Sequence, residues 1–307
     1  MVIKRFRVGP LLKKVVREVG ADNIGTLAAS AAYNFFFSLF PLLLFLTPLL
    51  SLIGNKQQLV GWLMSQLTST LPPQDVPAVR QILEGVVFAK NAPGLVSVGI
   101  VLAAWSASNI FGTLMGALNT AYDVHETRSW LKQQIIRLTA FVIGGVIMIV
   151  STVIFLNGEG VASWVGGILH LGPAFVLVWK IVQFPIAICG LVALAFLTFY
   201  ALPNVRQHKG QVFVAALITA LLWIAATLLF RLYVQHFPPN PAYGLIGAII
   251  IMLTWMYYTM YVVLIGGELA SELHHGTGAI APDKGAVYLG RIVSGNGPGS
   301  ASIERDG

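Results

Sequence analysis

Six long stretches of the chain carry no Asp, Glu, Lys or Arg: 23–55, 91–122, 138–158, 181–205, 210–230 and 232–267. A helix needs roughly 20 mostly apolar residues to cross about 30 Å of hydrocarbon. In that medium each backbone N–H and C=O must find its partner within the protein, so uncharged runs of this length are expected to be helices. The pattern predicts an all-α, polytopic bundle of six transmembrane helices.

Other periodicities lie outside those runs. Over residues 1–22, Leu11, Leu12, Val15, Val16 and Val19 recur at helical spacing among Lys4, Arg5, Arg7, Lys13, Lys14 and Arg17. A basic amphipathic helix lying on a membrane surface follows from that pattern. Residues 23–275 form the membrane domain in this reading, with an external loop at about 54–93. Within that loop, 57–74 reads as an amphipathic segment, and Val79, Ile82, Leu83 and Val86 suggest a short helix. The Gly-rich start of 160–179 reads as a loop that leads into the fourth helix. Residues 276–307 are rich in Gly, Ser and Pro with no apolar period, so a disordered cytoplasmic tail is expected.

Charge then orients the bundle. Arg128, Lys132 and Arg137 follow the second stretch, Arg206 and Lys209 follow the fourth, and Lys284 and Arg291 lie in the tail. Of the alternate connections the first holds Lys56, Arg80 and Lys90, while 158–173 and 235–243 hold no Lys or Arg. Positive charge collects on the cytoplasmic side, so both termini are expected there. The net charge of +7 therefore points to anionic membrane lipid as the partner and not to nucleic acid. Charged residues make up 10% of the chain, against about 25% in soluble domains, as expected of a chain mostly in lipid. Its 307 residues suit one six-helix domain, with no room for a separate soluble enzyme domain. The single Cys189 excludes an intrachain disulfide.

Candidate chemistry is sparse. In the second stretch Gly99, Ser106, Asn109, Thr113, Gly116 and Thr120 share one helical face. Such a stripe lets helices approach and hydrogen-bond, or it lines a polar path; packing is the preferred reading, because water-lined paths usually recruit ionisable groups too. Asn34, Pro41 and Pro48 interrupt the first stretch, and a proline kink frees carbonyls that a substrate or a neighbouring helix can use. Lys180 and Arg231 are expected to reach the interface along their own stems. Glu268, at the inner end of the last stretch, is the best single ionisable candidate for a proton or cation site, weighed against an interfacial carboxylate. Asn119 completes the set of pathway or helix-packing candidates.

Asp123, His125, Glu126, Glu272, His274 and His275 are the one conceivable cytosolic metal cluster, yet their spacing matches no metal signature. No phosphate loop, nucleophile elbow or catalytic carboxylate pair is present, so neither a cofactor nor a catalytic residue is expected.

The runs AASAAYNFFFSLFPLLLFLTPLL at 28–50, WSASNIFGTLMGALNTAYDVHETRSW at 105–130, ALPN at 201–204, LLWIAATLLFRLYV at 221–234 and AYGLIGAIIIMLTWMYYTMYVVLIGGELASEL at 242–273 together resemble the YihY/BrkB family of bacterial membrane proteins. The resemblance implies a six-helix, multi-pass protein of the bacterial inner membrane. Its motif positions here include Tyr33, Ser38, Pro41, Trp105, Ser106, Asn119, Tyr122, Arg128, Pro203, Asn204, Tyr243, Gly244 and Glu268. Members have been labelled ribonuclease BN and virulence factor, and the family brings no agreed catalytic set. Three functions follow in order of preference: a transporter or lipid translocator, an envelope scaffold working through the external loop, and a membrane-bound hydrolase.

Overall fold

The computed structural model describes residues 8–53, 104–105, 108–156, 158–168, 173–237 and 244–276, with isolated helical positions between 57 and 84. Among the described residues the ordered elements are helices: α1 Val8–Ala21, α2 Ile24–Ile53, α3 Asn109–Ala121, α4 Trp130–Leu156, α5 Gly158–Ile168, α6 Pro173–Ala201, α7 Lys209–His236 and α8 Gly244–Gly276. Ser106, Gly99, most of the external loop and the tail beyond Gly276 lie outside the described residues.

Among the described residues four helical segments are long and apolar enough to cross a bilayer: Trp130–Phe155, Val178–Ala201, Lys209–His236 and Ile246–His275. Their outward residues are themselves apolar. On α4 alone Val142, Ile143, Val146, Ile149, Val150 and Val153 are exposed, a continuous oily surface that a water-soluble protein would have to cover. Of the second expected span, only the 13 residues of α3 form a described helix. The stretch expected to be a loop near residue 160 instead winds into α5, which packs on α6 and buries Ala162 completely. Val161, Ala162 and Val165 give that helix an apolar side, and its glycines did not prevent it.

Small side chains set how the helices meet. Ala28, Ala31 and Ala32 of α2, Ala117 of α3, and Ala215, Ala216 and Ala220 of α7 are all buried in one core with Leu118, Phe199 and Leu264. Without a hydrophobic drive between helices in lipid, such residues let backbones come close enough for dispersion to hold them. α8 is central, packed on α2, α3 and α7, while α6 bridges α7 to α4.

α1 folds back onto this core. Asn23 takes a left-handed φ of 51°, a conformation Asn tolerates, and the chain reverses there into a fully buried Ile24. The reversal lays Leu11, Val15 and Val19 on the bundle, against α8 and α2. Leu12 and Val16 remain exposed on the opposite side, beside Lys13 and Arg17.

Candidate functional site

Two polar regions break the apolar rule, and they differ in how their groups are satisfied. The first ties the end of the bundle where α1 docks. Asn119, at the end of α3, accepts a hydrogen bond from the Asn204 backbone N–H at 2.8 Å and donates to Glu126 at 2.9 Å. Arg128 grips the same carboxylate with Nε at 2.7 Å and Nη2 at 2.6 Å, and Nη2 also donates to the Leu202 carbonyl at 2.7 Å. Asn204 returns the link by donating to the His125 carbonyl and the Thr127 hydroxyl. Tyr122 donates to Gln207, whose amide in turn donates to the Phe199 carbonyl. The connection after α3 and the connection after α6 are thus laced together.

Burial alone would raise the Glu126 carboxyl, but the hydrogen bonds from the Arg128 side chain and backbone and from Asn119, with the guanidinium charge, hold it below the usual carboxylate range. Arg128 keeps only 8% of its side chain exposed, so this is a desolvated pair in which each partner needs the other.

Glu268 lies at the same end of the bundle. It is 1% exposed, and its Oε1 has no hydrogen-bond partner. Asp22 hydrogen-bonds its carboxyl, and the charges of Glu18 and Asp123 act on it as well. Asp123, like Asn23, sits at a left-handed φ, 53°, so two turns aim acidic neighbours at one side chain from α8. Nearby, Lys14 of α1 pairs with Glu272 of α8 at 3.2 Å. Among the described residues no three His, Cys, Asp or Glu converge as metal ligands; Glu126, one of the acids considered for such a site, is held by Arg128.

The second polar region is the face of α3 that carries the sequence stripe. Asn109 and Gly116 are exposed and Thr113 and Thr120 half-buried, whereas Ile110, Leu114, Met115, Ala117 and Leu118 form the buried side. Two members of the stripe are thus open and two are half-buried. One bond crosses it: Asn34 of α2 donates to the Thr113 hydroxyl at 3.1 Å. Next to Asn34, Tyr33 and Phe37 are exposed. Pro41 lies within α2, whose helix continues through it.

α4 borders the same region. Gln134 donates to Ser108 at 3.5 Å, and the rings of Trp105 and Trp130 lie 5.7 Å apart. The Arg137 guanidinium lies against Gly112, where a Cβ would fall 2.9 Å from its Cζ.

Of the sequence candidates, Asn34, Asn109 and Thr113 come together on the α2–α3 face, while Asn119 and Glu268 sit at the α1 end in separate networks. Sequence reading missed three partners: Asp22 for Glu268, Arg128 for Glu126, and Arg137 for the α3 stripe. Asp22 and Arg128 stand in short connections where charge is ordinary. Arg137 had a usable signal, since it lies seven residues inside a helix that begins at Trp130.

The family described as Virulence factor BrkB matches residues 15–286. A ribonuclease-like protein, YfkH, of Bacillus subtilis is 29% identical over 251 residues, covering 80% of this chain and 89% of the relative. A UPF0761 membrane protein of Psychromonas ingrahamii is 27% identical, covering 84% of this chain and 86% of its own. Another, from Tolumonas auensis, is 25% identical, with 84% and 83% covered. No solved structure matches the chain.

Proposed function

Because the chain belongs to the BrkB family of membrane proteins, we propose that it is a translocator that carries a lipid or other amphipath along the polar face of α3. In this reading the chain crosses the bacterial inner membrane six times, with both termini in the cytoplasm. The bundle end that carries α1, Arg128 and Lys132, Arg206 and Lys209 is then the cytoplasmic one, in keeping with the distribution of positive charge.

The observation that carries the proposal is the open polar stripe. Asn109 and Gly116 are exposed, and Thr113 and Thr120 half-buried, on a helix whose other side is buried. Hydrocarbon is a poor solvent for exposed amides and hydroxyls, and a headgroup sliding along them exchanges hydrogen bonds without entering bare lipid. The acyl chains stay in the bilayer throughout, so few ionisable groups are needed along the path. Exposed Tyr33 and Phe37 on α2 supply an apolar border on one side.

The test is lipid movement in proteoliposomes of phosphatidylcholine and phosphatidylglycerol, followed by dithionite quenching of a fluorescent headgroup. Wild-type protein should accelerate movement over protein-free vesicles, and Thr113→Val with Asn109→Leu should slow it about tenfold. Equal rates with and without protein would end the proposal.

The name of the Bacillus relative invites a hydrolase reading, drawing on Asp123, His125 and Glu126. The engagement of Glu126 by Arg128 disfavours it, because a general acid or base needs a carboxylate able to exchange its proton near neutral pH.

A further inference from the structure

Among the described Lys and Arg residues, Arg137 is the one with a buried side-chain nitrogen that has no hydrogen-bond acceptor. The ion pairs among the described residues are Lys14–Glu272, Arg17–Glu18, Arg80–Glu84 and Arg128–Glu126, and none includes Arg137. Its Nη2 donates to the Gln133 amide oxygen at 3.1 Å, and its Nε is buried with no acceptor. A guanidinium has five N–H donors and keeps its charge at any physiological pH. One neutral acceptor is poor compensation for a cation inside a helix of membrane-crossing composition, and such residues by default mark a ligand or a path.

The surroundings are built to hold that group in place. Gly112 gives it a flat seat on α3: a Cβ there would come within 3.0 Å of both Nε and Nη1. One turn before Gly112 is Asn109 and immediately after it is Thr113, the two members of the open stripe nearest this seat. The bond to Gln133, one turn nearer the start of α4, directs the guanidinium toward that end of the helix. Trp130 and Trp105 pair there, and paired tryptophans at a helix end are the usual marker of headgroup depth.

We propose that Arg137, seated on Gly112 with Asn109 one turn earlier on α3, binds the phosphate of an anionic amphipath at the α3–α4 contact. The guanidinium fork matches two phosphate oxygens, and the phosphate supplies the anion that no ion pair among the described residues gives Arg137. The inference rests on reading the α3 stripe as a path, and it names phosphate-bearing lipid as the class that enters it.

Binding is measured on detergent-purified full-length protein by native mass spectrometry. Titrations use phosphatidylglycerol, phosphatidylcholine and inorganic phosphate separately. Phosphatidylglycerol should bind about tenfold more tightly than phosphatidylcholine, as a charge-assisted hydrogen-bonded pair provides. Arg137→Gln should erase that preference, and Lys180→Gln, on a different helix, should keep it. Gly112→Ala leaves the charge but displaces the guanidinium from its seat, so it should weaken phosphatidylglycerol binding even where Arg137→Gln fails to fold. Inorganic phosphate that competes at equal concentration would support the anion site and assign it to a soluble phosphate compound. An unchanged lipid preference in both Arg137→Gln and Gly112→Ala would overturn the site. That result leaves the vesicle assay of lipid movement untouched, so the two ideas fail separately.

Discussion

Gly266 tests whether α8 is as tightly wedged into the bundle as its packing implies. Replacing it with Ala places a Cβ in collision with the Thr219 hydroxyl and 2.9 Å from both Thr219 Cβ and Phe199 Cζ. Neither neighbour has room to retreat, since Phe199 is 0% and Thr219 2% exposed. Thr219 also donates to the Ala215 carbonyl at 2.7 Å, so rotating its hydroxyl away sacrifices a bond of about 1 kcal/mol. Overpacking of a filled core costs about 1–3 kcal/mol. Against this, Ala is a better helix former than Gly by about 1 kcal/mol. The helix gain offsets roughly the lost hydroxyl bond, and a net destabilisation of about 1–3 kcal/mol remains. In a protein of this size that lowers the melting midpoint by about 2–5 °C.

The assay is a thermal melt in detergent read by size-exclusion fluorescence, with Gly145→Ala as control. A Cβ at Gly145 meets nothing within 4 Å, so that variant should melt at or slightly above the wild-type midpoint. Adding Thr219→Ala to Gly266→Ala removes the colliding hydroxyl and should recover the larger part of the loss, a coupling that independent sites do not show. The reasoning is wrong if Gly266→Ala melts with Gly145→Ala, or if Thr219→Ala recovers nothing.

Three further expectations concern the α1 end. Arg128→Gln leaves Glu126 half-buried without its cation and unties the Leu202 carbonyl; a loss of about 2–3 kcal/mol should appear in the same melt, and a midpoint within 1–2 °C of wild type would contradict the network. Glu126 has a lowered folded-state pKa, so its contribution is complete above the ordinary carboxylate range and fades as pH falls through the lowered value. The midpoint difference between wild type and Glu126→Gln should therefore hold steady from pH 8 to pH 6 and shrink only in strong acid; shrinkage already above pH 6 would refute the assignment. Glu268→Gln keeps the shape of the side chain and removes one acid from among Asp22, Glu18 and Asp123, so at pH 8 it should melt no lower than wild type and up to a few degrees higher, whereas a clear drop would show that the carboxylate has a cationic partner.

What the sequence made legible follows from what the bilayer demands locally. Uncharged length located α4, α6, α7 and α8, because a spanning helix cannot hide a charge at its centre. The boundaries moved where charge is tolerated: α4 begins at Trp130, ahead of Lys132 and Arg137, and α7 runs through Arg231 to His236 and gives way before Pro238. The helical register of Asn109, Thr113, Gly116 and Thr120 was readable from spacing alone. Which way that face pointed was not, since direction depends on what packs behind it, here Leu114, Met115 and Leu118 against α2 and α8. α1 shows the same limit. Its stripe of Leu11, Val15 and Val19 announced a buried face, but a bilayer and a protein surface satisfy that stripe equally well on paper. Asp22 beside Glu268 and Asn119 beside Asn204 join residues far apart in the chain, where no local period exists to find them.

The two polar regions differ in a way that bears on how the protein works. At the α1 end, Asn119, Glu126, Arg128 and Asn204 satisfy one another, and the pair of connections they lace becomes a rigid base for α3, α4, α6 and α7. Along the α3–α4 face Asn109 and Gly116 are exposed, the Thr113 and Thr120 hydroxyls donate to carbonyls of their own helix, and Arg137 donates to the Gln133 oxygen while its Nε is unanswered. A bundle selected only for stability in lipid would have the opposite arrangement, with polar groups turned inward and an apolar exterior. Departures from local consistency that persist in a folded protein tend to mark where function outweighs stability. The tied end fixes where α3 and α4 stand, and in the function proposed above the polar edge beside it is the surface along which a headgroup moves.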